Sequence, residues 1–379
     1  MQLPASMTFA AVEAFLAEIV PEEEVLLPTN GRHQAAGAEA AVVQALATWA
    51  NLGRRNTVRT YATSAEDEQI AKLVRRLYGL SAFALADRIN DVGNGDIASF
   101  ARAMAMRRIR ELGTEDVSGS RGPQIEIICA DHLALSHPPS LYTVDKDGLA
   151  KVKELPSFLK LVDDAIIGRF VHQGYRRNLP DDFERTMAIA LHELVRNTDE
   201  HGRMDDRGDT RRKSIRGLQA KKYLLSPESL GAITAASPAL HTYCSRLAPA
   251  RAGNKHVQLI ELSVFDSGPG MGASLTGQEL SALALEDELS AVRRCFAKNV
   301  SRKHSSSSGL GLPNLTKALS EAGGFMRLRT GRCALYADFR QDPVSRFGEP
   351  PELRNWFGEG GDVSPVAGTL FTLIFPLEA

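Results

Sequence analysis

The sequence predicts an α+β protein: a sandwich of helices on a mixed or antiparallel sheet, preceded by a small α/β unit. Three observations predict it. Before residue 115, short strand candidates and helical stretches alternate. From Pro156 onward, amphipathic helices and strands follow one another without the strand–helix–strand rhythm of a doubly wound parallel sheet. The chain is 379 residues long, more than one small core accommodates. The units are placed at 1–150 and 151–379, the first pattern ending at Gly113 and the polar stretch Ser118-Gly-Ser-Arg-Gly122.

In chain order, residues 8–19 read as a helix, and Val25-Leu-Leu-Pro28 as a short strand before the turn Thr29-Asn-Gly31. The alanine-rich stretch Ala35 to Ala50 is a strong helix former, with Val42, Val43, Leu46 and Trp49 on one stripe. Thr57 to Tyr61 is β-branched and strand-like; 66–77 and 97–112 read as helices. Ile125 to Cys129 and Leu141 to Val144 are strand candidates. Trp49 and Phe83 read as core, and His132 beside Asp131 as a local hydrogen-bonding pair. In the second unit, 157–170 and 181–201 are helices, the latter with Phe183, Met187, Leu191, Leu194 and Thr198 at spacings of three and four. Val257 to Phe265 is almost unbroken in its apolar run and reads as a buried strand. A helix over 314–322 and strands over 326–329, 334–339 and 369–375 complete the pattern.

Charge narrows the function little. Lys and Arg number 45 against 46 for Asp and Glu, so a net charge of -1 gives no global basis for binding nucleic acid or an anionic membrane. No run of eighteen apolar residues is present, and Glu13 and Glu18 interrupt the first apolar stretch, which argues against a signal peptide. The Cys residues, 4 in number, form no C-x-x-C pair; their sparseness suits a reducing, cytoplasmic setting with free thiols.

Chemistry concentrates in four places. On the helix over 181–201, Glu193 and Asn197 are one turn apart and share a face. The amide oxygen suits Mg2+, a hard cation that prefers oxygen, and the carboxylate can polarise a water. Taken alone, the pair also describes a solvated helix face ending at Gly202. Next, the strand over 257–265 runs into Asp266-Ser-Gly268-Pro-Gly270, an acceptor-only carboxylate at a strand end followed by glycines that let the backbone approach a base or ribose. Third, Ser305-Ser-Ser-Ser-Gly309-Leu310-Gly311-Leu312 leads straight into a helix whose first, free N–H groups would face an anion. It is neither a P-loop nor a dinucleotide fingerprint. Last, Gly368-Thr369-Leu-Phe371 opens the closing strand, where Thr369 adds a hydroxyl.

Taken in this order, the four elements resemble the ATP-binding domain shared by gyrase, the large heat-shock chaperone, histidine kinases and MutL, over about residues 156–379. Glu193 and Asn197 match its Glu-x-x-x-Asn box; Asp266, Gly268 and Gly270 its Asp-x-Gly-x-Gly box; Gly309, Gly311 and Leu312 its Gly-x-Gly-Leu box; and Gly368, Thr369 and Phe371 its closing strand. The resemblance implies a Bergerat-type sandwich binding ATP with Mg2+. Asn197 would be the metal ligand, Glu193 the general base, and Asp266 the base-binding acceptor. Gly268, Gly270, Gly309, Leu310, Gly311, Leu312 and Thr369 would surround the nucleotide. A lid over 271–308 would carry Lys298, Arg302, Lys303 and His304 toward the phosphates, Lys303 among the nucleotide contacts, with Phe296 packing it down.

The stretch 203–256 departs from the pattern and reads as a basic insertion: Arg203, Arg207, Arg211, Arg212, Lys213, Arg216, Lys221 and Lys222 against Asp205, Asp206 and Asp209. It offers itself to an acidic partner, or stands as a solvated loop; its few aromatics argue against stacking on single-stranded nucleic acid. No phosphoacceptor helix is evident, because His192 lies inside the first box and His137 precedes two prolines. An ATP-dependent regulator with slow hydrolysis is therefore the leading expectation. A protein kinase of the serine or mitochondrial type and a non-hydrolysing ATP-binding module are the alternatives. The unit over 1–150 is expected to dock a protein partner or to self-associate.

Overall fold

The protein is described from a computed structural model covering residues 1–33, 35–120, 122–176, 179–234, 237–247, 256–298, 310–358 and 363–377. The fold is α+β. Its amino-terminal part holds five short strands: β1 (Ser6–Met7), β2 (Val25–Leu26), β3 (Arg32–His33), β4 (Thr57–Arg59) and β5 (Arg88–Asn90). They pair in parallel, β1 with β3 and β2-β4-β5 in that order, with helices Phe9–Ala17, Ala38–Leu52, Glu68–Val74 and Leu77–Leu85 between them. Trp49 and Phe83 are fully buried here, as expected. His132 and Asp131 do not pair with each other. The His132 ring meets the backbone of Ser214 and Ala84, while Asp131 meets Ser214 and Arg216.

The rest of the chain adds β6 (Gln124–Ala130), the hairpin β7 (Tyr142–Val144) and β8 (Ala150–Val152), β9 (Ile215–Leu225), β10 (Val257–Phe265), β11 (Phe325–Gly331), β12 (Cys333–Asp338), β13 (Arg354–Asn355) and β14 (Val366–Pro376). One seven-stranded sheet runs β13-β12-β11-β14-β10-β9-β6. Every pairing in it is antiparallel. Side chains alternate between its faces. On β10, Ile260, Leu262 and Val264 join one core while Leu259 and Phe265 join the other; on β14, Phe371, Leu373 and Phe375 oppose Leu370 and Ile374. The first face is covered by the long helix Phe183–His201, the helix Gly311–Glu321 and the helix Leu155–Leu161. The stripe expected on the long helix is buried at Phe183, Met187, Leu191, Leu194 and Thr198.

Two boundaries need correction. Residue 150 does not separate two bodies, because β6 hydrogen-bonds along β9 and closes the large sheet. The helix Ala38–Leu52 lies on the second face of that sheet, against β14 and β10. There Gln44 Nε2 donates to the carbonyl oxygens of Arg329 (3.0 Å) and Ala367 (3.3 Å), and Thr48 Oγ1 accepts from Ala367 N at 2.9 Å. The stretch 203–256 is likewise no simple insertion. It contains β9, an 11-residue interior strand, and the helices Pro227–Thr234 and Pro238–Ser245. Its cations meet acids within the molecule: Arg216 with Asp131 (3.1 Å), Lys213 with Asp87 (2.7 Å) and Lys221 with Glu39 (2.6 Å). These three cations are thus paired within the fold, because burying a cation is costly unless it is paired.

Between the helix Ala38–Leu52 and the sheet lies a polar cluster. Gln219 Nε2 donates to Glu39 Oε2 (3.1 Å) and Glu126 Oε1 (3.0 Å), while Glu261 accepts from Gly37 N and the Tyr223 hydroxyl. Burial, reinforced by the like charge of Glu39, pushes the Glu126 carboxyl up to about 7, against the pull of Lys221 and Gln219. A raised carboxyl favours the protonated folded state, so stability is lost as pH rises from the ordinary carboxylate range through 7. Glu126→Gln should remove that loss, stabilising the protein by roughly 1–3 kcal/mol at about pH 8 and by little at about pH 5. Urea unfolding at both pH values checks it; an equal effect at both would refute the account. No helix among the described residues is long and apolar enough to cross a membrane.

Candidate functional site

Four distant segments meet over the carboxyl end of β10 and enclose a cavity of ≈ 700 Å³. Leu194, Val264, Met271, Leu275 and Phe371 supply apolar wall, and Glu193, Asn197, Asp266 and Thr369 supply polar groups. That size and mixture are typical of small-molecule sites.

The long helix brings Glu193 and Asn197 to the wall one turn apart. Glu193 is buried and its Oε1 accepts from Asn314 Nδ2 at 3.1 Å. Its other oxygen lies beside Gly311: a Cβ there would stand 2.9 Å from Oε2 and push the carboxylate aside. The start of the helix Gly311–Glu321 therefore touches the carboxylate, and Asn197 Oδ1 is 3.9 Å from the same point. Leu310 gives that helix no side-chain cap, leaving its first N–H groups to another acceptor. The Asn197 carboxamide makes no hydrogen bond among the described residues.

Asp266 is set at the opposite end. Its Oδ1 accepts from Gly268 N (2.8 Å) and Thr369 N (3.3 Å), while Oδ2 has no hydrogen bond among the described residues. Burial pushes its carboxyl up to about 6, and the Gly268 and Thr369 N–H groups oppose that rise. The approach of β14 requires glycine at 368: φ is +69, and a Cβ would lie 2.0 Å from the Asp266 carbonyl oxygen. Thr330, which no motif signalled, ties the corner together: its Oγ1 accepts from Met271 N at 2.9 Å and lies 3.2 Å from Thr369 Oγ1.

Of the residues expected at the site, Glu193, Asn197, Asp266, Gly270, Gly311, Leu312 and Thr369 line the cavity. Gly268 and Leu310 adjoin it without lining it; the Gly268 carbonyl holds Gly368 N at 2.6 Å and Arg211 Nη2 at 3.3 Å. Gly309, Lys303, Arg302 and His304 lie outside the described residues. The first part of the expected lid is packed structure: helices Met271–Thr276 and Leu285–Cys295, with Phe296 edge-on to Phe371 at 6.4 Å. Lys298 is not in the cavity wall and sits over the Phe347 ring at 5.7 Å. His192 faces Phe158 at 5.1 Å and burial holds its pKa below the usual histidine range.

Sequence reasoning missed a whole wall, the loop Met204, Asp205, Asp206, Arg207 and Gly208, whose Arg207 reaches Glu279 at 3.0 Å. Its only sequence signal was the dense run of charge. The described wall carries Glu193, Glu200, Asp205, Asp206, Asp266 and Glu279 against Arg196 and Arg207, which favours a cation accompanying any anionic ligand. Among the described residues no group of three or more His, Cys, Asp or Glu is arranged to hold a metal ion. A cation at Asn197 would therefore share oxygens of the ligand itself, as Mg2+ does with phosphates. Fold and cavity define an α+β protein with a half-open cavity of small-molecule size. No protein-family model, curated protein or solved structure matches the chain.

Proposed function

We propose that this cavity binds Mg-ATP and that the chain hydrolyses it slowly, as a conformational or regulatory switch. The observation that carries this reading is the convergence of Glu193, Asn197, Asp266, Gly270, Gly311 and Thr369, from four separated segments, on one cavity. Asp266 Oδ2 accepts the exocyclic amine of adenine over the apolar wall. The triphosphate extends toward the start of the helix Gly311–Glu321, where Asn197 would offer its amide oxygen to an accompanying Mg2+ that neutralises phosphate charge. Glu193, one turn before Asn197, faces the terminal phosphate. The amino-terminal part is the surface assigned to a protein partner or a second copy.

Calorimetric titration with ATP and Mg2+ tests the binding. Asp266→Asn should weaken ATP by roughly 1.5–3 kcal/mol, the worth of a hydrogen bond to a charged group. Because the free carboxyl titrates at about 6, wild-type affinity should also fall as pH drops below 6. The asparagine variant should lose that dependence. Unchanged affinity in a folded Asp266→Asn protein would remove Asp266 from the site.

A further inference from the structure

We infer that Arg196 is the terminal-phosphate contact of this cavity, and that by exchanging Glu193 for that phosphate it frees the general base only when a triphosphate is bound. The inference rests on the Mg-ATP reading and deepens it. Arg196 and Arg207 are the two arginines of the described wall, and Arg207 is already engaged at 3.0 Å with Glu279. Arg196 is differently placed. It stands between Glu193 and Asn197 in sequence, and it is 36% exposed. Its Nη1 is 3.5 Å from Glu193 Oε2 and its Nη2 3.8 Å from Glu200 Oε1. Both are ion-pair separations too long for a good hydrogen bond. Arg196 donates no hydrogen bond among the described residues, so its planar fork of donors is unspent.

The two Glu193 oxygens are held differently. Oε1 is fixed by the neutral Asn314 amide at 3.1 Å, while Oε2 faces both the guanidinium and the start of the helix at Gly311. An oxygen turned toward a guanidinium is poorly available to a water. A phosphate arriving at Gly311 presents the geometry that an arginine fork pairs with in two-point fashion, and it outcompetes two loose carboxylate contacts. The side chain needs only to swing at its exposed end. Oε2 is then free to accept a water proton. The water oxygen forms the new bond to the terminal phosphorus as the bond to the bridging oxygen breaks. ADP leaves with that electron pair, and the proton passes to Glu193. With a diphosphate the fork stays on Glu193 and Glu200.

Arg196→Gln and Arg196→Lys in the full chain, titrated separately with ATP and ADP in Mg2+, test this. Arg196→Gln should weaken ATP roughly ten- to a hundredfold while leaving ADP unchanged. Arg196→Lys, which keeps the charge but loses the fork, should fall between. Phosphate release at saturating ATP should drop in the same order. Thermal melting of the free proteins confirms that they fold. If ATP and ADP weaken equally, or neither changes, Arg196 is only a helix-surface ion pair and the inference is wrong, while Mg-ATP binding by the wild type still stands. If the wild type binds neither nucleotide, the functional reading itself fails and takes this inference with it.

Discussion

Glu193→Gln is expected to cut phosphate release roughly 10²- to 10⁴-fold while ATP binding survives, the usual worth of a positioned general base. Glutamine preserves the shape of the side chain and keeps an oxygen for Asn314 Nδ2, the 3.1 Å bond that orients the wild-type carboxylate. What it removes is the capacity of the second oxygen to take a proton. It also removes the attraction of Arg196 at 3.5 Å, a partly exposed pair that contributes only about 0–1 kcal/mol to stability. The variant should therefore fold and titrate like the wild type and fail only in turnover. The decisive measurement is phosphate release at saturating ATP, with a binding titration on the same preparation. Full turnover by the variant would dismiss Glu193 as the base. Weakened binding with unchanged turnover would make it a ligand contact.

Arg216→Ala is expected to be the most destabilising single change in the charged stretch after the long helix, at about 3–5 kcal/mol. Arg216 is 1% exposed. Its guanidinium bridges both oxygens of Asp131 (3.1 and 3.3 Å), the Ser136 carbonyl (2.7 Å) and the Tyr142 hydroxyl, with Asp199 of the long helix 3.7 Å away. Truncation leaves the largely buried Asp131 and the Ser136 carbonyl without their cation. Arg207→Ala is the internal control: the same residue type nine positions earlier is 71% exposed, and its loss should cost far less. Chemical unfolding of the two variants separates them. Equal losses would mean that Arg216 is not holding the corner where β6, β9 and the long helix meet.

These two arginines also explain what could be read from the amino-acid order and what could not. β10 was legible to the residue because Val257 to Phe265 is rich in apolar residues, with only Gln258, Glu261 and Ser263 between them, and ends at Asp266. The long helix was legible because its buried stripe repeats at helical spacing. β9 was not: Arg216, Gln219 and Lys221 sit on inward faces, where pairing with Asp131, Glu126 and Glu39 makes burial possible. Those partners come from 85 or more positions away, so no local pattern announces them. The helix Leu77–Leu85 was missed for the opposite reason, being buried on all sides with no polar face to set a period. The helix expected over 157–170 is interrupted by a π-helical turn, Val162–Ile167, that composition does not mark. At the site, residues adjacent in the motifs were found. The loop Met204 to Gly208 was not, and neither were Thr330 and Arg211, which hold the backbone around the cavity at Met271 and Gly268 from other strands and loops.

The strand β6 carries a consequence for how the molecule comes apart. It is contributed by the first 150 residues, yet its backbone is bonded along β9 from Gln124 to Ala130. The helix Ala38–Leu52 seals the opposite face through Gln44, Thr48 and the Glu39–Lys221 pair. Cleavage near residue 150 followed by separation would leave β9 with a bare row of N–H and C=O groups, the kind of surface on which chains pair indiscriminately. It would also part Lys221 from Glu39 and take the Gly37 N–H from Glu261. Neither half owns a complete core, so the two are expected to lose their structure together rather than one after the other.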